Sequence, residues 1–480
     1  MLRHKDNTII SEIKDFFTSS EKAMDTILGI IRSLTFSEKA FGFPQACNQK
    51  YSNFSKLLLL LLFPVLETKS PCHYSSSSLY NLLACGKDVF YRLLNNAQIN
   101  WRKLSCSLTL QLIRKTQKSA DTDTANPRCL IIDDTDLPKT GRRMELIGRI
   151  FSHVTYSSLL GFKGLFMGYH DGKSFFSVDF SLHGEKGKNE KKPYGLTRSQ
   201  AKERYSKKRK KSHPGAKRVN EYFSTKIASA INMIRLAIEK GIRFDYLLVD
   251  SWFTCLELVK FIATRRIGCH FLGMIKMGTT KYFAFDKELT AKEIVDTLRR
   301  KKKQKYSKLL KCYYMEIIVD FKGVQVKLFF CKMSKKGAWN GLMTTNSELS
   351  FEQAYKIYST RWSTEVFFKE TKQFLGLGKC QAQDFDAQIA ATTLCMLQYN
   401  ILSVAKRFGD YETFGEMFRA SQRDTLKLTI AEQIWLIITE IAAELSELFD
   451  IDMEMLMEKI VTENEKIAKY FNLKYLMKTG

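Results

Sequence analysis

Three features of this 480-residue chain predict an α/β architecture with helical regions before and after it. Short apolar runs that end in acids alternate with stretches of helical periodicity. A strand-rich segment interrupts that alternation. The two ends of the chain carry helical spacing alone.

Residues 1–117 read as helical from the apolar spacing in NTIISEIKDFFTSSEKAMDTILGIIRSL and SLYNLLACGKDVFYRLLNN. This region is a candidate DNA-contacting domain, although simple helical packing has the same pattern. Within it, the run Leu57–Leu62, extended through Pro64 to Leu66, is too short to span a bilayer and too far along for a signal peptide. A core helix is the expectation. Residues 118–128, KSADTDTANPR, are polar and contain a proline, as a linker does.

From Cys129 the character changes. CLIID reads as a buried strand ending in acids, and FKGLFMGYH and SFFSVDFSLHG as strands either side of an Asp171-Gly172 turn signal. Residues 219–240 show helical periodicity and stop at Gly241. FDYLLVD is another buried strand ending in an acid, followed by the helix candidate SWFTCLELVKFIATRR. Residues 129–268 thus form the first part of a mixed core. Residues 269–345 are strand-rich, include the basic run Arg299–Lys305, and predict a β-rich insertion forming its own subdomain. Residues 346–384 carry a further core helix. Residues 385–480 are helical, with an acidic Leu/Ile-rich section that predicts a helix-packing or dimer face.

The charge balance narrows the partners. With 76 basic and 50 acidic residues the formal net charge is +26, an excess that favours a polyanion, nucleic acid above all. Between Glu185 and Arg218 there are 14 Lys/Arg against 3 Asp/Glu, with two prolines and few apolar residues. A mobile surface arm is expected there, with Lys207, Lys208, Arg209, Lys210 and Lys211 on DNA phosphates. The same run also has the composition of a nuclear localisation signal. The eleven cysteines are odd in number and contain no C-x2-C pair, and the histidines show no HExxH spacing, which argues against zinc and for reduced thiols. The expectation is a soluble protein with no membrane partner and no export signal.

Asp133 and Asp250 each close an apolar run, where side chains emerge at the carboxyl edge of an α/β sheet. A third candidate acid is Glu365, in YSTRWSTEVFFKETKQFLGLG. On one continuous helix, Tyr358, Arg361, Glu365 and Lys372 fall within an arc of about 60°. Three converging carboxylates repel unless a cation joins them, and hard oxygen donors suit Mg²⁺ or Mn²⁺. The first acid is ambiguous. Alternation from Ile131 favours Asp133, with Asp134 the alternative and Asp136 close behind. Trp252 and Trp362 have the chemistry of base-stacking platforms, but the core reading is preferred for both. Lys139 and Gly141 are candidates for a phosphate-facing turn.

Asp133 in IIDDTDLPKTG, Asp250 in LLVDSWF, and the spacing Tyr358-x2-Arg361-x3-Glu365-x6-Lys372 resemble DDE transposases of the insertion-sequence-4 type. The resemblance covers residues 129–380. It implies an RNase H-like catalytic core interrupted by a β-rich insertion and flanked by helical N- and C-terminal regions. It also implies that Asp133, Asp250 and Glu365 are the catalytic metal ligands for Mg²⁺ or Mn²⁺. Tyr358, Arg361 and Lys372 would hold the phosphate and DNA end. The implied activity is cleavage at the terminal inverted repeats of a mobile element, typically through a DNA hairpin, and strand transfer into target DNA. A homodimeric synaptic complex in the bacterial cytoplasm is implied with it.

Overall fold

The computed structural model describes residues 22–44, 50–68, 70–76, 80, 84–118, 126–264, 268–426, 437 and 444. Most of the expected linker, the part of the expected N-terminal helical region before residue 22 and nearly all of the acidic section after residue 426 lie outside this set. The chain divides into two compact units, Met1–Asn100 with Ile401–Gly480, and Trp101–Asn400. Among the described residues no helix is long and apolar enough to cross a membrane.

In the first unit the described elements are helical: α1 (Lys22–Arg32), α2 (Glu38–Phe41), α3 (Asn53–Leu62), α4 (Pro71–Tyr74) and α5 (Lys87–Leu94), with residues 414–426 also helical. Ser52 starts α3 by accepting the Ser55 N–H on its hydroxyl at 3.0 Å. The leucine run Leu57–Leu62 is buried all round, as expected of a core helix. Phe63, Tyr74 and Phe90 pack ring against ring beside it.

In the second unit α6 (Trp101–Lys118) precedes β1 (Cys129–Pro138), β2 (Gly148–Ser152), β3 (Ser157–His170) and β4 (Phe175–His183). There follow α7 (Arg198–Lys202), α8 (Pro214–Tyr222), α9 (Lys226–Glu239), β5 (Tyr246–Val249), α10 (Leu256–Ala263), β6 (His270–Ile275), β7 (Lys281–Ala284) and β8 (Lys287–Thr290). Next are α11 (Ala291–Arg300), β9 (Lys305–Ser307), β10 (Cys312–Asp320), β11 (Gln325–Lys332) and β12 (Asn340–Thr344), then α12 (Phe351–Ser359), α13 (Trp362–Phe374) and α14 (Phe385–Phe408), of which the part up to Asn400 belongs to this unit. α6 therefore belongs with the sheet unit, and the helical N-terminal unit ends near residue 100 rather than 117. Asn400 anchors that arrangement, its amide donating to Thr109 Oγ1 at 3.0 Å and to the Ser177 carbonyl at 2.8 Å.

One 12-stranded sheet runs through the second unit in the order β2-β3-β1-β5-β6-β12-β11-β10-β7-β8, with β4 on β3 and β9 on β10. β1, β5 and β6 are parallel, whereas β3 is antiparallel to β1 and β4 to β3. Cys129–Ile132 and Tyr246–Val249 are fully buried, as central parallel strands covered on both faces must be. The hairpin between β3 and β4 turns at Gly172, whose φ of 99° suits glycine, and Asp171 Oδ1 accepts the amides of Lys173 and Ser174.

Two expectations change here. The strand-rich segment 269–345 is not a separate subdomain: β6 pairs with β5 and β12 pairs antiparallel with β6, so β7–β12 extend the same sheet. Strand pairing between distant segments carries no local sequence signal. The helix expected over 219–240 is two helices, because Thr225 leaves the helix to cap α9, accepting the Ala228 N–H at 3.1 Å.

Candidate active site

The register of β1 and β5 builds the first half of the site. Ile132 lies opposite Val249 across a parallel pair, so Asp133 and Asp250 are the next residues on neighbouring strands. Asp250 leaves the strand at once. Its Oδ1 accepts the backbone N–H of Trp252 at 2.9 Å and of Phe253 at 3.1 Å, which folds the turn and delays α10 until Leu256. Asp133 is 8% exposed. Burial pushes its carboxyl up to about 7; Arg361 opposes that shift, and the charges of Asp250 and Asp134 add to it.

The second half comes from α12 and α13. The continuous helix expected through Tyr358 and Glu365 breaks at Thr360–Arg361, where i→i+3 bonds such as Arg361 N–H to the Tyr358 carbonyl (3.0 Å) tighten the turn. Arg361 still reaches both partners. Its guanidinium donates to Asp133 Oδ2 at 2.6 Å and to Glu365 Oε1 at 2.5 Å, a two-armed bridge between acids 232 residues apart in sequence. Tyr358 stands beside it, with the guanidinium 5.9 Å from the ring centre. Burial pushes the phenol up to about 12, opposed by Arg361.

Lys372 donates to Thr135 Oγ1 at 2.6 Å, which ties α13 to β1. Its ammonium is pushed below the usual lysine value by burial, with Asp136 pulling the other way. Asp136 itself pairs with Lys163 at 2.5 Å, and Asp134 pairs with Lys226. The acids of Asp-Asp-Thr-Asp therefore have separate partners: Asp133 alone meets Arg361, while Asp134 meets Lys226 from α9. Lys163 and Lys226 carried no sequence signal beyond the need of buried carboxylates for countercharge.

Several sequence expectations are corrected. Trp252 is 43% exposed and Trp362 62% exposed, so neither is a core aromatic. Lys226 sits 3.7 Å above the Trp252 ring. Trp362, Tyr358, Tyr355 and Arg361 line a cleft of about 360 Å³ together with Cys331 and Asn340. Lys139 does not face a phosphate: it is buried and donates to the carbonyls of Gly378 (2.7 Å) and Cys380 (2.8 Å). Burial pushes it down to about 8.

The basic run 207–211 is not a free arm. Lys207 Nζ bonds Asp384 at 2.6 Å and Asp386 at 2.8 Å. Arg209, 4% exposed in its side chain, forks onto Glu145 and Asp386. Burial opposes the charge on Arg209, and Glu145 and Asp386 outweigh it, so its pKa lies above the usual value. These two side chains are committed to internal acids and are withdrawn from the DNA-phosphate set, whereas Lys208, Lys210 and Lys211 are exposed.

Among the described residues no three His, Cys, Asp or Glu side chains are close enough to hold a metal ion together. The donors nevertheless suit a hard divalent cation in kind. Two carboxylates already share one cationic group, Arg361, and the third, Asp250, directly follows the adjoining strand.

Residues 73–303, just under half of the chain, match the family model described as DDE superfamily endonuclease. That match takes in Asp133 and Asp250, stops before Glu365, and supports a protein of the DDE endonuclease type. No curated protein matches the sequence. Among solved structures, a piggyBac transposase synaptic complex with hairpin DNA is similar at 13% identity and a TM-score of 0.40, over 88% of this chain and 81% of that one. The NurA nuclease from Sulfolobus solfataricus is similar at 12% identity and a TM-score of 0.23, over 58% of this chain and 84% of that one.

Proposed function

We propose that this chain is a metal-dependent DNA transposase of the DDE type, cutting DNA at the ends of a mobile element and joining them to target DNA. The observation that supports the reading is the Arg361 bridge, which joins Glu365 to Asp133, the residue that follows the strand register shared with Asp250. The strand order β4-β3-β1-β5-β6, with the last three parallel, supports an RNase H-like core in which residues 276–339 are inserted.

In this reading Asp133, Asp250 and Glu365 would hold Mg²⁺ or Mn²⁺, which would supply activation of a hydroxyl nucleophile and charge stabilisation at the leaving oxygen. Arg361, whose guanidinium has N–H groups beyond the two given to Asp133 and Glu365, would donate to a non-bridging phosphate oxygen. Tyr358, neutral across the working pH range, offers an O–H donor beside it. Lys372 fixes α13 against β1, so its part is to position Glu365. Lys208, Lys210 and Lys211 add phosphate contacts that carry no sequence preference. Binding of inverted-repeat ends by a homodimer in the bacterial cytoplasm completes the proposal.

The test supplies the purified chain with Mg²⁺, a duplex copied from the DNA flanking its gene, and a target plasmid. Metal-dependent cleavage and a joined product are expected. Glu365→Gln should lower both on the order of 10³-fold or more while DNA binding persists. Unchanged processing by Glu365→Gln would overturn the proposal. Cleavage without joining would favour a nuclease, the reading that the endonuclease description of the matched family supports.

A further inference from the structure

Beyond the acids, the molecule carries a basic surface that the site described above does not use. Residues 299–311 contain eight Lys or Arg and no acid, and residues 332–340 contain three Lys and no acid. Sheet pairing brings the two segments to one end of the sheet. β9 and β10 pair up to Ser307–Cys312, which leaves Lys308 to Lys311 as the turn. Tyr313, next to that turn, pairs with Lys332, the last residue of β11, so the loop 333–339 emerges beside it. Lys332 shapes this loop from within, donating to the Lys335 carbonyl at 2.9 Å and lying 4.8 Å from the Trp339 ring centre.

Lys308, Lys311, Lys335 and Lys336 are all exposed, and none has an acid within ion-pair distance among the described residues. Leu309 and Met333, 78% and 69% exposed, cap the same two loops. The surface is continuous with the candidate active site. Cys331 pairs with Asn340 at the root of the loop, and both line the cleft that Tyr358, Arg361 and Trp362 also line. A row of unpaired ammonium groups beginning at a phosphate-handling cleft matches the spaced negative charge of a duplex backbone.

We infer that the turn 308–311 and the loop 333–339 form a DNA-backbone track along which the duplex leaves the Arg361 cleft, with Lys308, Lys311, Lys335 and Lys336 as its phosphate contacts. This rests on the DNA-processing reading and adds to it a surface that the acids do not require. The track reads no bases, because ammonium groups on phosphates carry charge and no sequence information.

The experiment measures binding of a 30-bp duplex of arbitrary sequence to the full chain across a salt series. The fourfold change of Lys308, Lys311, Lys335 and Lys336 to Gln should weaken binding about tenfold or more near 0.15 M salt. It should also lower the log–log salt slope by about 0.9 for every phosphate that no longer meets an ammonium group. A control changes Arg235, Lys240, Arg243 and Lys260 to Gln. These are exposed residues before β5 and on α10, and the change should have a much smaller effect. Equal losses in the two variants, or an unchanged slope in the first, would overturn the track. Acetylation of the wild-type protein supplies a readout without substitution: DNA should protect the four lysines, and full reactivity in the complex would overturn it too. If the wild-type chain binds no duplex even at low salt, the DNA-processing reading itself fails.

Discussion

At Asp133 two opposing forces meet in one side chain. Burial and the charge of Asp250 favour the protonated acid, and the Arg361 guanidinium favours the carboxylate, with a balance near pH 7. The sign follows directly. Below that pH the group is neutral and a poor ligand; above it the group is ionised. Mn²⁺ affinity in the absence of DNA, followed by electron paramagnetic resonance, should rise about tenfold between pH 6 and pH 8, the span over which such a group goes from mostly protonated to mostly ionised. Asp133→Asn should flatten the profile. A wild-type profile already flat would mean that Asp133 is ionised throughout. Strand alternation pointed to Asp133 over its neighbour, and Asp133 is the one that meets Arg361. The partners of Asp134 and Asp136 were not, because Lys226 and Lys163 approach from elements whose packing leaves no trace in local spacing.

At the scale of elements, the segment 207–211 shows how a run of like charge divides. Alternate side chains divide: Lys207 and Arg209 face inward onto Glu145, Asp384 and Asp386, while Lys208 and Lys210 face solvent. Removing one member of a buried ion pair leaves the other uncompensated. Arg209→Met should therefore cost about 3–5 kcal/mol in urea unfolding, whereas Lys210→Met should leave stability nearly unchanged. Similar small losses for both would mean that the network is solvated in solution. The sequence displayed the charge but not its division, since the acids lie about 60 to 180 residues away. The spacing of Tyr358, Arg361, Glu365 and Lys372 was legible, and the structure gathers three of them around Asp133. Lys372 turns to Thr135 instead, and the break at Thr360–Arg361 had no proline or glycine to announce it.

For the whole molecule, the consequence of a single sheet is shared stability. β11 and β12 are hydrogen-bonded to the strands that carry Asp133 and Asp250 through β6, so the strand-rich segment should not open alone. Native-state hydrogen exchange should give the amides of Leu328–Phe330 and Leu247–Val249 the same opening free energy. A lower value for the first group would restore the separate subdomain that the sequence led one to expect. The apolar runs revealed the longer strands but not the short β2, β8, β9 and β12, and the pairing between β6 and β12 depends on contacts about 70 residues apart. The shared register of β1 and β5 has its own outcome. The spacing of the first two acids is fixed by backbone geometry and tolerates side-chain change nearby, like teeth cut in the same comb. Glu365 arrives on a helix entered through a tight three-residue turn, so its reach is adjustable. Drift in the length of the intervening loops leaves the fixed pair untouched, and tuning of the chemistry falls to the few residues around Thr360.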